Sequence, residues 1–222
     1  MIVKKEAVAM TGKERRERGM LFIPDNADWV QMKRARRLTQ KLNTMDRADF
    51  EGIRLVVGEL FGKSDETTFL NPPFYCDYGS NIEVGKNCFI NYNCTFLDNG
   101  KIRLGDNCLL APNVSIYTAG HTLHPDARRM GYEYGRDVTV GDDVWIGGNT
   151  VILPGVHIGS NVVIGAGSVV TQDIPDWSLA AGNPCRVIRR ITEEDKQYAF
   201  GRKQIDAETA AAITDGQGVM TE

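Results

Sequence analysis

Between about residues 74 and 188, apolar side chains return at every sixth position. The series runs Val84, Ile90 and Phe96, then Leu104, Leu110 and Ile116, then Val140, Ile146, Ile152, Ile158, Ile164 and Val170. Two residues before each stands a small or β-branched side chain: Ile82, Cys88, Cys94, Ile102, Cys108, Val114, Val138, Val144, Thr150, Val156, Val162 and Ser168. Neither a helix nor a plain strand has that period; a short strand followed by a turn does. Residues two apart on a strand point to one side, and the residue between them points to the other. Turn formers sit where corners fall, as in Gly85-Lys86-Asn87, Gly105-Asp106-Asn107, Gly141-Asp142-Asp143 and Gly159-Ser160-Asn161. Gly and Asn suit positive-φ corners. Three units close a triangular coil, and coils stack about 4.8 Å apart through parallel-strand hydrogen bonds. No coil buries its apolar side alone, so stacking is what stabilises it. The pattern predicts an all-β solenoid, a parallel β-helix.

The register is interrupted twice. The step from Phe96 to Leu104 is eight residues, which puts a two-residue corner insertion at Asp98 to Gly100. The step from Ile116 to Val140 is 24 residues, one unit plus an 18-residue loop. Outward residues then sort onto three faces. The first shows Glu83, Arg103, Thr139 and His157; the second Phe89, Leu109, Trp145 and Val163; the third Thr95, Ser115, Val151 and Val169. An apolar outer stripe does not belong in water, so the second face and part of the third are expected to pack against neighbouring subunits. Cys88, Cys94 and Cys108 take the small inward position, as buried structural thiols, with Cys88 and Cys108 stacked in adjacent coils.

Residues 1–62 read as an N-terminal helical segment, 63–188 as the solenoid with its loop at 117–137, and 189–222 as a C-terminal helix and tail. Asp28 to Asn43 places Trp29, Met32, Ala35, Leu38 and Leu42 at helical spacing. Asp46 is the expected cap of a second helix carrying Phe50, Ile53, Val57 and Leu60, with Gly62 as its stop. Lys33-Arg34-Ala35-Arg36-Arg37 reads as a solvated helix face. A helix is expected after Thr192, and a disordered tail from about Asp215.

Composition narrows the function classes. The 222 residues carry 26 Lys+Arg against 29 Asp+Glu, a net charge of -3, which argues against a general nucleic-acid binder. No window is apolar enough for a membrane span, and the first ten residues lack a signal-peptide core. Five Cys without a C-x-x-C pair suggest neither a disulfide framework nor a zinc knuckle, and a cytoplasmic protein is expected. Of three His, His157 falls on a regular strand, whereas His121 and His124 fall in the loop. So long an excursion from a regular solenoid is where function concentrates. A three-His metal site is disfavoured, because the His121/His124 spacing and the position of His157 do not match the β-helical carbonic anhydrases. Gly147, Gly148, Gly165 and Ala166 stack at one corner, either as tight turns or as a groove for an extended ligand.

Several stretches carry a resemblance to a known family. They are Phe74-Tyr75-Cys76-Asp77-Tyr78-Gly79-Ser80-Asn81-Ile82, Asn91-Tyr92-Asn93, Leu110-Ala111-Pro112-Asn113-Val114, Thr118-Ala119-Gly120-His121, Val144-Trp145-Ile146-Gly147-Gly148 and Ala181-Gly182-Asn183-Pro184-Cys185-Arg186-Val187. Over nearly the whole chain, from about Gly12 to Arg190, it resembles the maltose/galactoside O-acetyltransferases among the hexapeptide-repeat acyltransferases. The resemblance implies a left-handed winding, which periodicity does not show and which the usual crossover rule opposes. It also implies a homotrimer with sites between subunits, and acetyl-CoA as cosubstrate with no metal required.

Residue by residue, the resemblance makes His121 the general base, which deprotonates a hydroxyl for direct attack on the thioester in a ternary complex. It implies an oxyanion-stabilising N–H near Gly148, and acetyl-CoA contacts at Gly148, Ala166, Thr171, Gln172, Arg186 and Arg189. Gln172 stands where many relatives carry Lys. Family acceptor positions map to Asp77, Asn91 and Asn99, with Asp98 adjacent; Asn91 is alternatively a plain turn former. Glu133, in the loop, could contact the acceptor or tune His121. An N-terminal acceptor-binding Asp of the family has Ile23 or Pro24 in its place here, unless Asp25 substitutes. Acetylation of a xenobiotic or other small molecule by the same fold, and a non-catalytic structural β-helix, remain alternatives.

Overall fold

A computed structural model describes residues 10–200 and 203–214 of the chain. The expected tail from Asp215, and the start up to Ala9, lie outside the described residues. The centre is a parallel β-solenoid of about six turns. Its first face stacks Ile82–Val84, Ile102–Leu104, Val138–Val140 and His157–Ile158 in register. Its second stacks Phe69–Leu70, Phe89–Ile90, Leu109–Leu110, Trp145–Ile146, Val163–Ile164 and Ser178–Ala181. Its third stacks Phe74–Cys76, Cys94–Leu97, Ser115–Tyr117, Val151–Ile152 and Val169–Val170. Partners follow the hexad register residue for residue, so Glu83, Arg103, Thr139 and His157 form one outward ladder.

The inward positions make one continuous core, with every aliphatic member of the hexad series buried. Cys88, Cys94 and Cys108 are free and buried in it. The thiols of Cys88 and Cys108 donate to the carbonyls of Gly105 and Gly141 in the next coil. Outside, the second face leaves Leu109 49% and Trp145 53% exposed, a wet apolar stripe on an isolated chain.

Corners use the left-handed backbone region at Asn87, Asn107, Asp143 and Asn161 between the first and second faces. Asn93, Asn113 and Asn149 do the same between the second and third. Side chains climb these corners as ladders, Asn87 donating to Asn107 and Asn107 to Asp143. At the first-to-second corner the backbone N–H groups of Lys86, Asp106, Asp142 and Ser160 are each accepted by a side chain of the next coil: Asp106, Asp142, Ser160 and Asp176.

One end of the core is closed by helices at Asn26–Thr44 and Phe50–Leu60. Leu38, Leu42, Ile53, Val56, Val57 and Leu60 cover Phe74 and Leu70. Asn43 fills the role of a missing coil: its amide donates to the Phe74 carbonyl and accepts from the Phe74 N–H, at 2.9 and 2.8 Å. Three local expectations need correcting. The second helix is capped by Asp49, which accepts from Gly52 N–H, while Asp46 serves the preceding turn. Trp29 is 47% exposed, and Asp28 is buried instead, because Arg16 reaches it from the short helix Gly12–Glu17 at 2.6 Å. After Thr192 there is a 3-10 turn at Glu193–Gln197 and an antiparallel pair, Tyr198–Phe200 with Lys203–Gln204; a helix appears only at Ala207–Thr214. Asp195 is drawn to Arg189, which keeps the Thr192 cap on a short turn. No helix among the described residues is long and apolar enough to cross a membrane.

Close stacking sets the tolerance of the corners. A Cβ on Gly105 would lie 2.3 Å from Asp142 Oδ1 and 2.7 Å from the Gly141 carbonyl carbon. Gly105→Ala should therefore cost about 1–3 kcal/mol, read as a Tm lowered by several degrees in calorimetry.

Candidate active site

The loop is an ordered arm. Ala119–His121 pairs antiparallel with Glu133–Gly135, which sets His121 opposite Glu133. A third segment locks on: Phe22 exchanges two backbone hydrogen bonds with Glu133, both 3.0 Å, while its ring is fully buried. Arg16 lies over the Phe22 and Tyr78 rings and ion-pairs Asp28, so the N-terminal segment is pinned beside the loop. Sequence reasoning missed Phe22 because it sits in no periodic stretch.

His121 is exposed, and its Nδ1 lies 3.3 Å from the Tyr132 carbonyl. A carbonyl only accepts, so Nδ1 carries a proton, and in the neutral ring it is Nε2 that keeps the lone pair. The tautomer is thus the one a base presenting Nε2 requires. His124 plays a separate, structural part, since its ring accepts from Asp126 N–H and caps the short helix Pro125–Arg129. His157 stays on the first face, 2.6 Å from the Thr139 hydroxyl.

Glu133 stands opposite His121, Asn99 reaches Glu133, and Asp77 lies near enough to Glu133 for their charges to interact, at the third-to-first corner. Asn99 donates to Glu133 Oε2 at 2.6 Å. Burial pushes the Glu133 and Asp77 carboxyls above the usual range; the Asn99 hydrogen bond and the charge of His121 hold Glu133 back. Asp98 is fully buried and directs its carboxylate at the backbone of Asp77, Tyr78 and Asn81. Asp25 caps the helix Asn26–Thr44, with Oδ1 accepting from Ala27 and Asp28 N–H.

The other expected residues lie elsewhere. Asn91, Gly148 and Ala166 occupy the second-to-third corner, across the prism from His121. Asn91 serves its turn through Oδ1, which accepts from Tyr92 N–H, and no partner engages its Nδ2 among the described residues. Gly147 has no room for a side chain, since a Cβ would meet Ala166 N at 2.5 Å; Gly148 is more open, with Pro112 O at 3.1 Å. At this corner Pro112 has no N–H, and the N–H groups of Gly148 and Ala166 have no acceptor among the described residues. The contrast with the first-to-second corner, where side chains of the next coil accept every corresponding N–H, marks Gly148 and Ala166 as donors open to a ligand.

Thr171 and Gln172 are exposed at the third-to-first corner. Arg186 and Arg189 lie on Arg186–Arg190, which pairs antiparallel with Ser178–Ala181. Arg186 donates to the Cys185 carbonyl, and Arg189 holds Asp195 through both terminal nitrogens, at 2.8 and 2.6 Å. A cleft of about 640 Å³ includes Arg16, Gln31, Asn81, Asn99 and Arg103, and another of about 850 Å³ includes Arg136, Gly155 and Thr171. Both flank the loop and neither contains His121.

Repeats, register and corners define the class of hexapeptide-repeat transferases. Residues 137–172 match the bacterial transferase hexapeptide family (six repeats), and residues 81–118 match the hexapeptide repeat of succinyl-transferase. The chain is 42% identical to a galactoside O-acetyltransferase of Escherichia coli (strain K12) over 196 residues, 87% of this chain and 96% of that one. A galactoside acetyltransferase solved in complex with coenzyme A superposes with a TM-score of 0.87 at 40% identity, covering 90% of this chain and 100% of that chain. A maltose O-acetyltransferase of Clostridium difficile 630 gives a TM-score of 0.82 at 47% identity, covering 83% and 100%. The chain belongs to the maltose/galactoside O-acetyltransferase family. Its solenoid is the left-handed parallel β-helix of those acetyltransferases, and it is an acetyltransferase.

Removing the Phe22 ring tests the arm. A buried Phe→Ala change costs about 3–5 kcal/mol, here concentrated on the loop. In Phe22→Ala, hydrogen exchange should accelerate at Ala119–His121 and Glu133–Gly135. Amides in Val163–Ile164 should keep their protection.

Proposed function

We propose that this protein transfers the acetyl group of acetyl-CoA to a hydroxyl of a sugar, with His121 as general base. The observation that carries the reading is the His121 ring, whose Nδ1 donates to the Tyr132 carbonyl and leaves Nε2 free. Nε2 takes the proton of the acceptor hydroxyl as its oxygen attacks the thioester carbonyl carbon. The carbon–sulfur bond breaks, and the imidazolium returns the proton to the departing sulfur. Glu133, opposite His121 on the hairpin, favours the transient imidazolium by charge. The reaction needs no covalent enzyme intermediate, because the thioester is already activated.

The open N–H groups of Gly148 and Ala166 support the coenzyme's place along the second-to-third corner. There the Gly148 N–H is available to the charge that builds on the carbonyl oxygen. Thr171, Gln172, Arg186 and Arg189 complete the coenzyme contacts in this reading. Asp77, Asn91, Asn99 and Glu133 bond the acceptor's hydroxyls, and a rim of carboxylates and amides suits a polyhydroxy acceptor better than an apolar xenobiotic.

His121 and Gly148 stand at different corners of one chain, and His121 lies in neither of the two clefts that flank its loop. A site made of both needs two subunits, and the apolar stripe with Leu109 and Trp145 is the surface they would share. The assembly in this reading is a homotrimer, each site lying between two protomers of a cytoplasmic enzyme.

His121→Ala should lower turnover by roughly 10²–10⁴ in a thiol-release assay with maltose or a galactoside, at unchanged Tm. Acetyl-CoA should still raise the Tm of the variant, because the corner donors remain. Near-normal turnover would remove His121 as the base.

A further inference from the structure

The two-residue insertion at Asp98 to Gly100 interrupts an otherwise strict register, and it places a carboxylate inside the protein. Asp98 is 0% exposed. Its Oδ1 accepts from the N–H groups of Asp77 and Tyr78, at 3.0 and 2.9 Å, and its Oδ2 from Asn81 N–H at 3.3 Å. Its carbonyl accepts from Asn81 Nδ2 at 2.7 Å. Among the described residues no cation lies within ion-pair distance of it. Burial and the nearby charge of Asp77 push its pKa up to about 6, and the three backbone donors hold it down against that.

A buried carboxylate without a counter-ion is costly and calls for a reason. Corner closure is not that reason. The same corner closes higher up through Leu153-Pro154-Gly155 with a positive-φ glycine and no buried acid. What Asp98 adds is a link between two coils. It ties the segment bearing Asp77 to the segment bearing Asn99, and Asn99 passes the link to Glu133. Glu133 in turn is paired through its backbone with His121.

We propose that Asp98 is a positioning residue, which holds Asp77, Asn99 and, through Glu133, the His121 arm in one arrangement for the acceptor. The proposal deepens the sugar-acetylation reading and rests on it for the identity of the acceptor. Asp98 touches neither substrate. Asp98→Ala removes all three backbone acceptor contacts. Asp98→Asn keeps the Oδ1 contacts, but its Nδ2 cannot accept from Asn81 N–H.

Steady-state kinetics with maltose and a methyl galactoside should show the acceptor KM raised at least tenfold in Asp98→Ala, and less in Asp98→Asn. The KM for acetyl-CoA should stay within twofold in both. Gly105→Ala, a destabilised variant on another corner, should keep the acceptor KM. An acceptor KM unchanged in both Asp98 variants, or both KM values rising together, overturns the proposal. Should Asp98→Ala fail to fold, Asp98→Asn decides alone. Hydrogen exchange reads the same link with no acceptor present. Asp98→Asn should deprotect Ala119–His121 and Glu133–Gly135, and Gly105→Ala should not. Unchanged protection there overturns the proposal whatever the acceptor. A wild-type protein that transfers acetyl to neither sugar, yet shows the Asp98→Asn deprotection, overturns the sugar reading alone.

Discussion

Each coil of this protein is satisfied by the coil beside it, and that dependence governs everything else. Strand N–H groups find the neighbouring coil's carbonyls without help. Most corner N–H groups do the same, but one at the middle of each corner does not, and a side chain, water or a ligand must serve it. The first-to-second corner is served by Asp106, Asp142, Ser160 and Asp176, each reaching from one coil to the N–H of another. The second-to-third corner is left unserved at Gly148 and Ala166. Two corners of one solenoid, built from the same hexad, thereby differ: one is closed by side chains, and the other leaves two N–H groups open.

The hexad made the fold legible, because a six-residue aliphatic period in register has few other physical explanations. The loop's length and its histidine were equally visible. Contacts between parts far apart in sequence were hidden. Trp29 fits the helical stripe as well as Asp28 does, and what decides between them is Arg16, which lies outside that helix. Phe22 carries no signal until Glu133 is placed against it. Gly147 looks like a turn glycine in isolation, whereas its constraint comes from the backbone of the next coil at Ala166. Asp98 was visible as part of a register break, and its inward direction was not, because an insertion erases the alternation from which direction is read.

The imidazole of His121 is held by three segments that share no periodicity. The hairpin fixes the backbone of His121, the Tyr132 carbonyl fixes its tautomer, and Phe22 fixes the hairpin. An exposed imidazole on an isolated turn would sample several rotamers, and one on a paired strand with its Nδ1 engaged samples far fewer. This is how an exposed histidine, outside both clefts that flank its loop, can still be preorganised. The cost falls on the N-terminal segment, whose buried Arg16–Asp28 pair and Phe22 ring serve the loop as much as the core. Truncating that segment would then loosen the His121 hairpin even though none of it lies in the solenoid.

In the proposed reading Arg189 receives the coenzyme's phosphates, and its own contacts limit how they can approach. Its two terminal nitrogens face the Asp195 carboxylate, and one of them also donates to the Arg190 carbonyl. The hydrogen bonds from Arg189, and then from Thr192 N–H, lower the Asp195 pKa to about 2, so its carboxylate is charged near neutral pH. A guanidinium presents five N–H groups in a fixed fork, and the edge made by Nε and one terminal nitrogen remains open here. A phosphate that keeps the Asp195 contact must therefore approach along that lateral edge. One that takes the terminal edge must displace Asp195, and with it the acceptor of Thr192 N–H that caps the turn Glu193–Gln197. In that reading the segment after the last solenoid strand is coupled to the charge of the ligand at Arg189.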